Sequence, residues 1–160
     1  MSLEDFVPDD KEPSNVTREY VAEAYGQALI EQAGKQGVQI LCLQEIKTED
    51  GAFPAADFES RGFGAEVYGQ KAYNGVAILS KIAPTATVRG FGQAAWDEQK
   101  RLIRAGIGGL EILNVYAPHG DVRGTDKFEF KRRWFKNLLR YLEAHFTPGE
   151  PLLLVGDLNV

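Results

Sequence analysis

With 160 residues, 44% of them apolar and 26% charged, the chain can build one domain with a core of its own. No apolar run approaches the ~20 residues that span a bilayer, so no membrane partner is expected. A net charge of −5 excludes coating of nucleic acid by bulk charge and leaves a local basic patch to steer it.

Met1 to Pro13 is acidic, carries two prolines and lacks periodicity, and residues 1–16 read as a loose leader without the basic and apolar regions of a signal peptide. A cytoplasmic protein is the expectation. Residues 17–33 place Val21, Ala24, Tyr25, Ala28, Leu29 and Ala33 at helical spacing, with Ser14 and Asn15 available as caps and Gly34 and Gly37 as stops. The run Val38–Leu43 follows. Its continuous apolar character predicts a central strand covered on both faces, and it ends at Glu45. Cys42, the only cysteine, excludes an internal disulfide and reads as a small core residue.

Gly51–Pro54 is a turn, Ala55–Arg61 a short helix stopped by Gly62, and Glu66–Tyr68 a weak strand. Gly75–Ser80, Thr85–Arg89, Arg101–Ile107 and Leu110–Tyr116 are further strands, the last two joined at Gly108-Gly109 as a hairpin. Asp126–Phe146 is the clearest helix, with Phe128, Trp134, Phe135, Leu138, Leu139, Leu142 and Phe146 on its apolar face. Lys131, Arg132 and Arg133 are expected on its solvated face. Pro151 opens a last buried-type strand that ends in Asp157 and Asn159. The pattern is an α/β layered domain with mixed strand directions. Two strands that deliver Glu45, Asp157 and Asn159 to one rim make a metal-assisted site the leading idea.

Five stretches in order, Leu43-Gln44-Glu45-Ile46-Lys47, Gly69-Gln70-Lys71, Tyr73–Ser80, Asn114–Gly120 and Gly156-Asp157-Leu158-Asn159, resemble the exodeoxyribonuclease III branch of the endonuclease/exonuclease/phosphatase superfamily, which includes the apurinic/apyrimidinic endonucleases. The resemblance covers about residues 38–160. It implies a four-layer α/β sandwich of two mixed sheets with helices outside, of which only about the first half is present, so that 17–160 is an incomplete domain. It also implies a Mg²⁺-dependent phosphodiesterase (with Mn²⁺ as the substitute metal) acting on double-stranded DNA as a 3′→5′ exonuclease and an abasic-site endonuclease in DNA repair.

Carried over residue by residue, Glu45 matches the metal-binding glutamate, Asp157 the aspartate that orients or deprotonates the attacking water, and Asn159 a phosphate contact beside it. Tyr116 matches the tyrosine near the scissile phosphate, and Arg101 resembles a DNA-contacting arginine. Lys71 is expected on a backbone phosphate. His119 stands where relatives usually carry Asn or Gln, and reads either as a contact to a phosphate or to the opposite strand or as an ordinary loop histidine. The family's opening asparagine is not carried over, because Asn15 is preceded by no buried strand and reads as a helix cap. Since nothing corresponds to the family's second half, the isolated chain is expected to be weakly active or inactive. Another superfamily phosphoesterase and a non-catalytic fragment are the rival readings.

Each assignment has a structural competitor. Glu45 alone is an exposed residue at a strand end, Asp157 and Asn159 are common turn formers, and Tyr116 could simply half-bury its ring. A hard cation such as Mg²⁺ takes carboxylate oxygens and keeps several waters, so one glutamate can anchor it.

Overall fold

The computed structural model describes Ala28, Glu31, Gln32 and residues 35–160. Ala28, Glu31 and Gln32 are helical; the rest of the expected helix over 17–33, the leader and Asn15 lie outside the described residues. The unit Val38–Val160 is taken by itself.

Two sheets form its frame. The first has the order β1–β3–β2, with β1 Ile40–Gln44, β2 Gly64–Tyr68 and β3 Val76–Ser80, all antiparallel. The second has the order β4–β5–β6–β7, with β4 Ala86–Arg89, β5 Leu102–Ile107, β6 Leu110–Tyr116 and β7 Leu152–Asp157. Its pairs are antiparallel except β6–β7, which is parallel. A parallel neighbour needs a crossover connection, and the helix α3, Asp126–His145, supplies it. Two short helices, α1 Ala55–Glu59 and α2 Ala94–Asp97, fill the connections before β2 and β5. Among the described residues no helix is long and apolar enough to cross a membrane.

Strand alternation divides the apolar residues between two cores. Ile103, Ala105, Ile107 and Ile112 turn toward Val76 and Ile78 of the other sheet, with Ile40, Cys42 and Val155 packed alongside. Leu102, Leu113 and Val115 turn the opposite way, onto Trp134, Leu138 and Tyr141 of α3. The second sheet is covered on both faces, which is why β5 and β6 read as nearly continuous apolar runs. Thr125 caps α3, its hydroxyl accepting from the Phe128 amide at 3.3 Å.

Among the described residues β1 pairs on one side only, with β3, the fully buried centre strand of its sheet. β1 reads as apolar because Ile40 and Cys42 enter the core between the sheets. Among the described residues β7 pairs on one side only, with β6, and Leu153 and Leu154 are 46% and 37% exposed. On α3, Leu139 is 56% exposed, while Tyr141 and Asn137 occupy the buried stripe at i+7 and i+3 from Trp134.

The two sheets are joined by one buried amide. Asn114 is fully buried, and its Nδ2 donates to the Leu43 carbonyl at 2.9 Å and the Ala77 carbonyl at 3.0 Å. Its Oδ1 accepts from Gln44 Nε2 at 2.7 Å. Asn114→Leu would leave these partners unpaired away from water, at a cost of ~1–3 kcal/mol for each buried group. Chemical denaturation of this variant should show a loss of about 3 kcal/mol. A loss under about 1 kcal/mol would mean that water satisfies the freed groups.

Candidate active site

β1, β6 and β7 all end at the same rim, since Gln44 pairs with Val76 at the start of β3 and Tyr116 pairs with Asp157 across the parallel ladder. Glu45 leaves β1 with a left-handed φ of 54°, and Lys47 repeats this at 53°. The bend is strapped down by the loop before β3: the Ile46 and Lys47 amides donate to the Gly75 and Asn74 carbonyls, and the Ala72 amide donates to the Lys47 carbonyl. The Gly75 amide donates in turn to the Lys100 carbonyl at 3.2 Å, and the Tyr116 amide to the Arg101 carbonyl at 2.8 Å. Backbone bonds therefore fix four rim segments against one another.

Tyr116 Oη donates to Glu45 Oε1 at 2.8 Å, and Lys47 Nζ lies 2.7 Å from Glu45 Oε2. Lys47 and Tyr116, with lesser help from Arg101, hold the Glu45 carboxyl below the usual carboxylate range, so it is ionised at neutral pH. Burial pushes the Tyr116 hydroxyl up, and its bond to Glu45 adds to this. The Arg101 guanidinium stacks over the Tyr116 ring at 4.6 Å and donates to the Tyr116 carbonyl and to Gln99 Oε1.

Because Lys47 is the first cause of the shift, Lys47→Met should move the Glu45 titration to higher pH. A depressed carboxylate stabilises the fold above its ordinary range and loses that contribution as pH falls through the lowered value. The carboxyl ¹³C shift of Glu45 followed against pH reads the midpoint directly. An unchanged midpoint in the variant would remove Lys47 from this account.

At the end of β7, Asp157 and Asn159 form an Asx turn that also serves the rim. The Asn159 amide donates to Asp157 Oδ1 at 2.9 Å, and Asn159 Nδ2 donates to Asp157 Oδ2 at 3.2 Å and to the Ala117 carbonyl at 3.0 Å. Each Asp157 oxygen keeps a lone pair beyond these bonds. The Ala117 amide donates to the Asp157 carbonyl at 2.8 Å, which locks the turn to the end of β6.

Tyr116 thus touches both Glu45 and Arg101, and Asp157 and Asn159 adjoin it through the β6–β7 register. His119 is exposed on the loop after β6, where its carbonyl accepts from Lys131 Nζ at 3.3 Å. Lys71 is exposed and makes no hydrogen bond or ion pair with these residues among those described. The basic run Lys100, Arg101, Arg104 is not one patch. Lys100 Nζ donates to Tyr68 Oη at 3.1 Å, while Arg104 turns to Glu111 at 3.4 Å and to the Phe146 ring.

Lys131 departs from the solvated face on which it was expected. It is partly buried, and its ammonium donates to the carbonyls of both His119 and Asn159, tying the start of α3 to the two rim loops. Gly120, with φ of 79°, makes this approach feasible, since a Cβ there would meet the Lys131 side chain at 2.4 Å. Helical spacing gives no sign of such a bond. The glycine in the loop just before the helix was the one available hint.

All seven non-glycine residues with left-handed φ among those described lie in these rim loops: Glu45, Lys47, Ala72, Asn74, Lys100, Asp121 and Asn159. Such backbone costs of order 1 kcal/mol or more at each position and gathers at working sites.

The Endonuclease/Exonuclease/phosphatase family matches residues 14–160. Exodeoxyribonuclease III of Haemophilus influenzae is 37% identical over 139 residues, 84% of this chain and 51% of its own. DNA repair nuclease APEX1 of Danio rerio is 30% identical over 131 residues, 79% of this chain and 41% of its own. Among solved structures, an AP endonuclease from Archaeoglobus fulgidus superposes with a TM-score of 0.80 at 34% identity, covering 84% of this chain and 52% of that one. A 3′ phosphatase, NExo, from Neisseria, bound to a product DNA hairpin, gives 0.78 at 32% identity, with 85% and 53% covered. The chain spans about half the length of these relatives. The mixed sheets and flanking helices are those of the same fold, as the expected sandwich required. On a match that runs from residue 14 through the last strand, this chain belongs to the Endonuclease/Exonuclease/phosphatase family.

Proposed function

We propose that the rim carries the phosphodiester-cleaving site of a Mg²⁺-dependent DNA nuclease of the exodeoxyribonuclease III kind, acting at abasic sites and from 3′ ends. The observation that carries this reading is the gathering of every left-handed non-glycine residue described into the loops that hold Glu45 and Asn159 and adjoin Tyr116 and Asp157. The names of the relatives support DNA as the substrate class.

The donor set fits a hard, water-keeping cation. Among the described residues no three His, Cys, Asp or Glu side chains gather as a metal cage, and Glu45 offers one ionised carboxylate. Mg²⁺ binds through one or two carboxylates and completes its shell with water and phosphate oxygens. Glu45 would hold it, and the bound ion supplies charge stabilisation at the phosphate. Tyr116 orients the Glu45 carboxylate by donating to Oε1, while its ring, stacked under Arg101, holds the guanidinium ready to donate to a phosphate oxygen. Asp157, with a lone pair left on each oxygen, accepts the proton of the attacking water. Asn159 fixes the Asp157 carboxylate through two bonds and lies beside it for a phosphate contact. His119 and Lys71 would hold phosphates farther along the strand.

The test is incision of a fluorescent duplex with one abasic-site analogue, in Mg²⁺ and in EDTA. Cleavage in Mg²⁺ alone supports the reading, and cleavage indifferent to EDTA sinks it. A second reading, removal of a 3′ phosphate from DNA, is favoured by the Neisseria relative's description as a 3′ phosphatase. A parallel duplex ending in a 3′ phosphate separates the two.

A further inference from the structure

Beside the rim lies a groove of about 840 Å³. Its walls come from the loop before β3, the loop after β6 and the first two turns of α3. Arg101 and His119 belong to both the rim and the groove. Its other features have no part in the site described above.

Phe130 lines it, although helical spacing places that residue four before Trp134 and so on the core stripe. Its half-buried ring rests against Trp96 with centroids 5.6 Å apart, which makes it a fixed apolar surface. Opposite the helix is Tyr73, 69% exposed and held between the left-handed residues Ala72 and Asn74. A single exposed tyrosine is unremarkable by itself. Here its backbone is strapped by the Ala72 and Gly75 amides, so a large aromatic is carried at the mouth of a groove on a fixed loop.

The charges are mixed but not balanced. Asp121 is taken by Lys127 at 3.0 Å. Asp126 sits in the first turn of α3, where a carboxylate complements the helix dipole. Arg101 and Arg133 remain, so the lining carries three cations against two carboxylates in a chain whose net charge is −5. Aromatic surface with a small cationic excess fits a flat anionic ligand. The volume lies within the ~300–1,000 Å³ of small-ligand sites, the scale of an unstacked nucleotide and not of a duplex.

We propose that this groove is a subsite for an unpaired nucleotide of a nucleic-acid strand, with its base on the Phe130 ring under Tyr73 and its phosphate on Arg133. The subsite rests on the nuclease reading only in that the same strand would continue past Arg101 to the rim. It implies a preference for ends that carry a single-stranded tail over blunt duplex.

Fluorescence anisotropy in EDTA, where no Mg²⁺-dependent cleavage occurs, tests this without chemistry. The probes are a blunt labelled duplex and the same duplex with a short unpaired tail, placed 3′ or 5′. The parent protein should bind one tailed duplex several-fold tighter than the blunt one. Phe130→Leu, which keeps apolar contact with Trp96, should lower tailed binding roughly tenfold, the scale of one lost base stack, and leave blunt binding unchanged. Arg133→Gln, on the exposed helix surface, should weaken tailed binding and reduce its salt slope by about 0.7. Equal binding of tailed and blunt duplexes by the parent protein, or a preference that survives both substitutions, overturns the subsite. The two readings fail separately: a tail preference with cleavage indifferent to EDTA removes the nuclease and keeps the subsite, and Mg²⁺-dependent incision without the preference does the reverse.

Discussion

Glu45→Gln is expected to lower Mg²⁺-dependent incision by at least ~100-fold, because several kcal/mol of charge stabilisation go with the carboxylate and each ~1.4 kcal/mol is tenfold in rate. The substitution keeps the size of the side chain. An amide oxygen can still accept from Tyr116 Oη, and the Lys47 ion pair that is lost has both partners about half exposed, at 56% and 41%. Exposed pairs of this kind contribute little to stability, so the melting temperature should stay within a few degrees of the parent. Excess Mg²⁺ should rescue the variant only weakly, since the ion would have no other described carboxylate cluster to use. Kinetics over a Mg²⁺ series, with thermal melting beside it, separates loss of the ion's anchor from loss of the fold. Incision within a few-fold of the parent would remove Glu45 from the centre of the site.

Gly156→Ala is expected to be the most damaging small substitution in the β6–β7 ladder. Gly156 has φ of 130°, where side chains other than glycine's are strained, and it pairs with Val115 across the parallel ladder. A Cβ there would meet the Val115 carbonyl oxygen at 1.9 Å and its carbonyl carbon at 2.8 Å. Neither atom is the end of a flexible side chain, so relief requires the two strands to part just before Asp157. Separation would break the register that sets Asp157 beside Tyr116, and the expected loss is at least about 4 kcal/mol or outright failure to fold. Urea denaturation measures the first outcome and soluble yield the second. A loss below about 1 kcal/mol would mean that β7 is not held as described.

The sequence was most informative where one period or one punctuation mark decided the matter. The Gly108-Gly109 turn between two apolar runs marked β5 and β6, and α3 begins at Asp126 as expected and ends one residue short of Phe146. The buried stripe of α3 was less legible: Leu139 fits the apolar period and is exposed, while Asn137 and Tyr141 are buried. The apolar run of β1 reflects the packing of Ile40 and Cys42 between the sheets.

In the candidate site, the residues at strand exits stood out because a carboxylate or amide closing an apolar run is conspicuous. Lys47, Asn114 and Lys131 did not stand out. Asn114 interrupts a strand that would read equally well with any residue there, and its three bonds join groups 37 and more positions away in the chain. Lys131 sits among Arg132 and Arg133 with nothing local to separate them. Only the fold brings the His119 and Asn159 carbonyls to its ammonium. Long-range hydrogen bonds of this kind leave no periodicity, which is why positioning residues escaped a reading that found the groups they position.

The central claim is that one ionised carboxylate at the exit of β1 gathers a divalent cation to the rim shared with Tyr116 and Asp157. Paramagnetic broadening of assigned amide signals by trace Mn²⁺, in the parent protein and in Glu45→Gln, tests it without any catalytic step. Broadening centred on Glu45, Tyr116 and Asp157 in the parent, competed away by Mg²⁺ and lost in the variant, is the predicted result. Broadening centred elsewhere, such as on Asp121 and Asp126, or unchanged by Glu45→Gln, would contradict it.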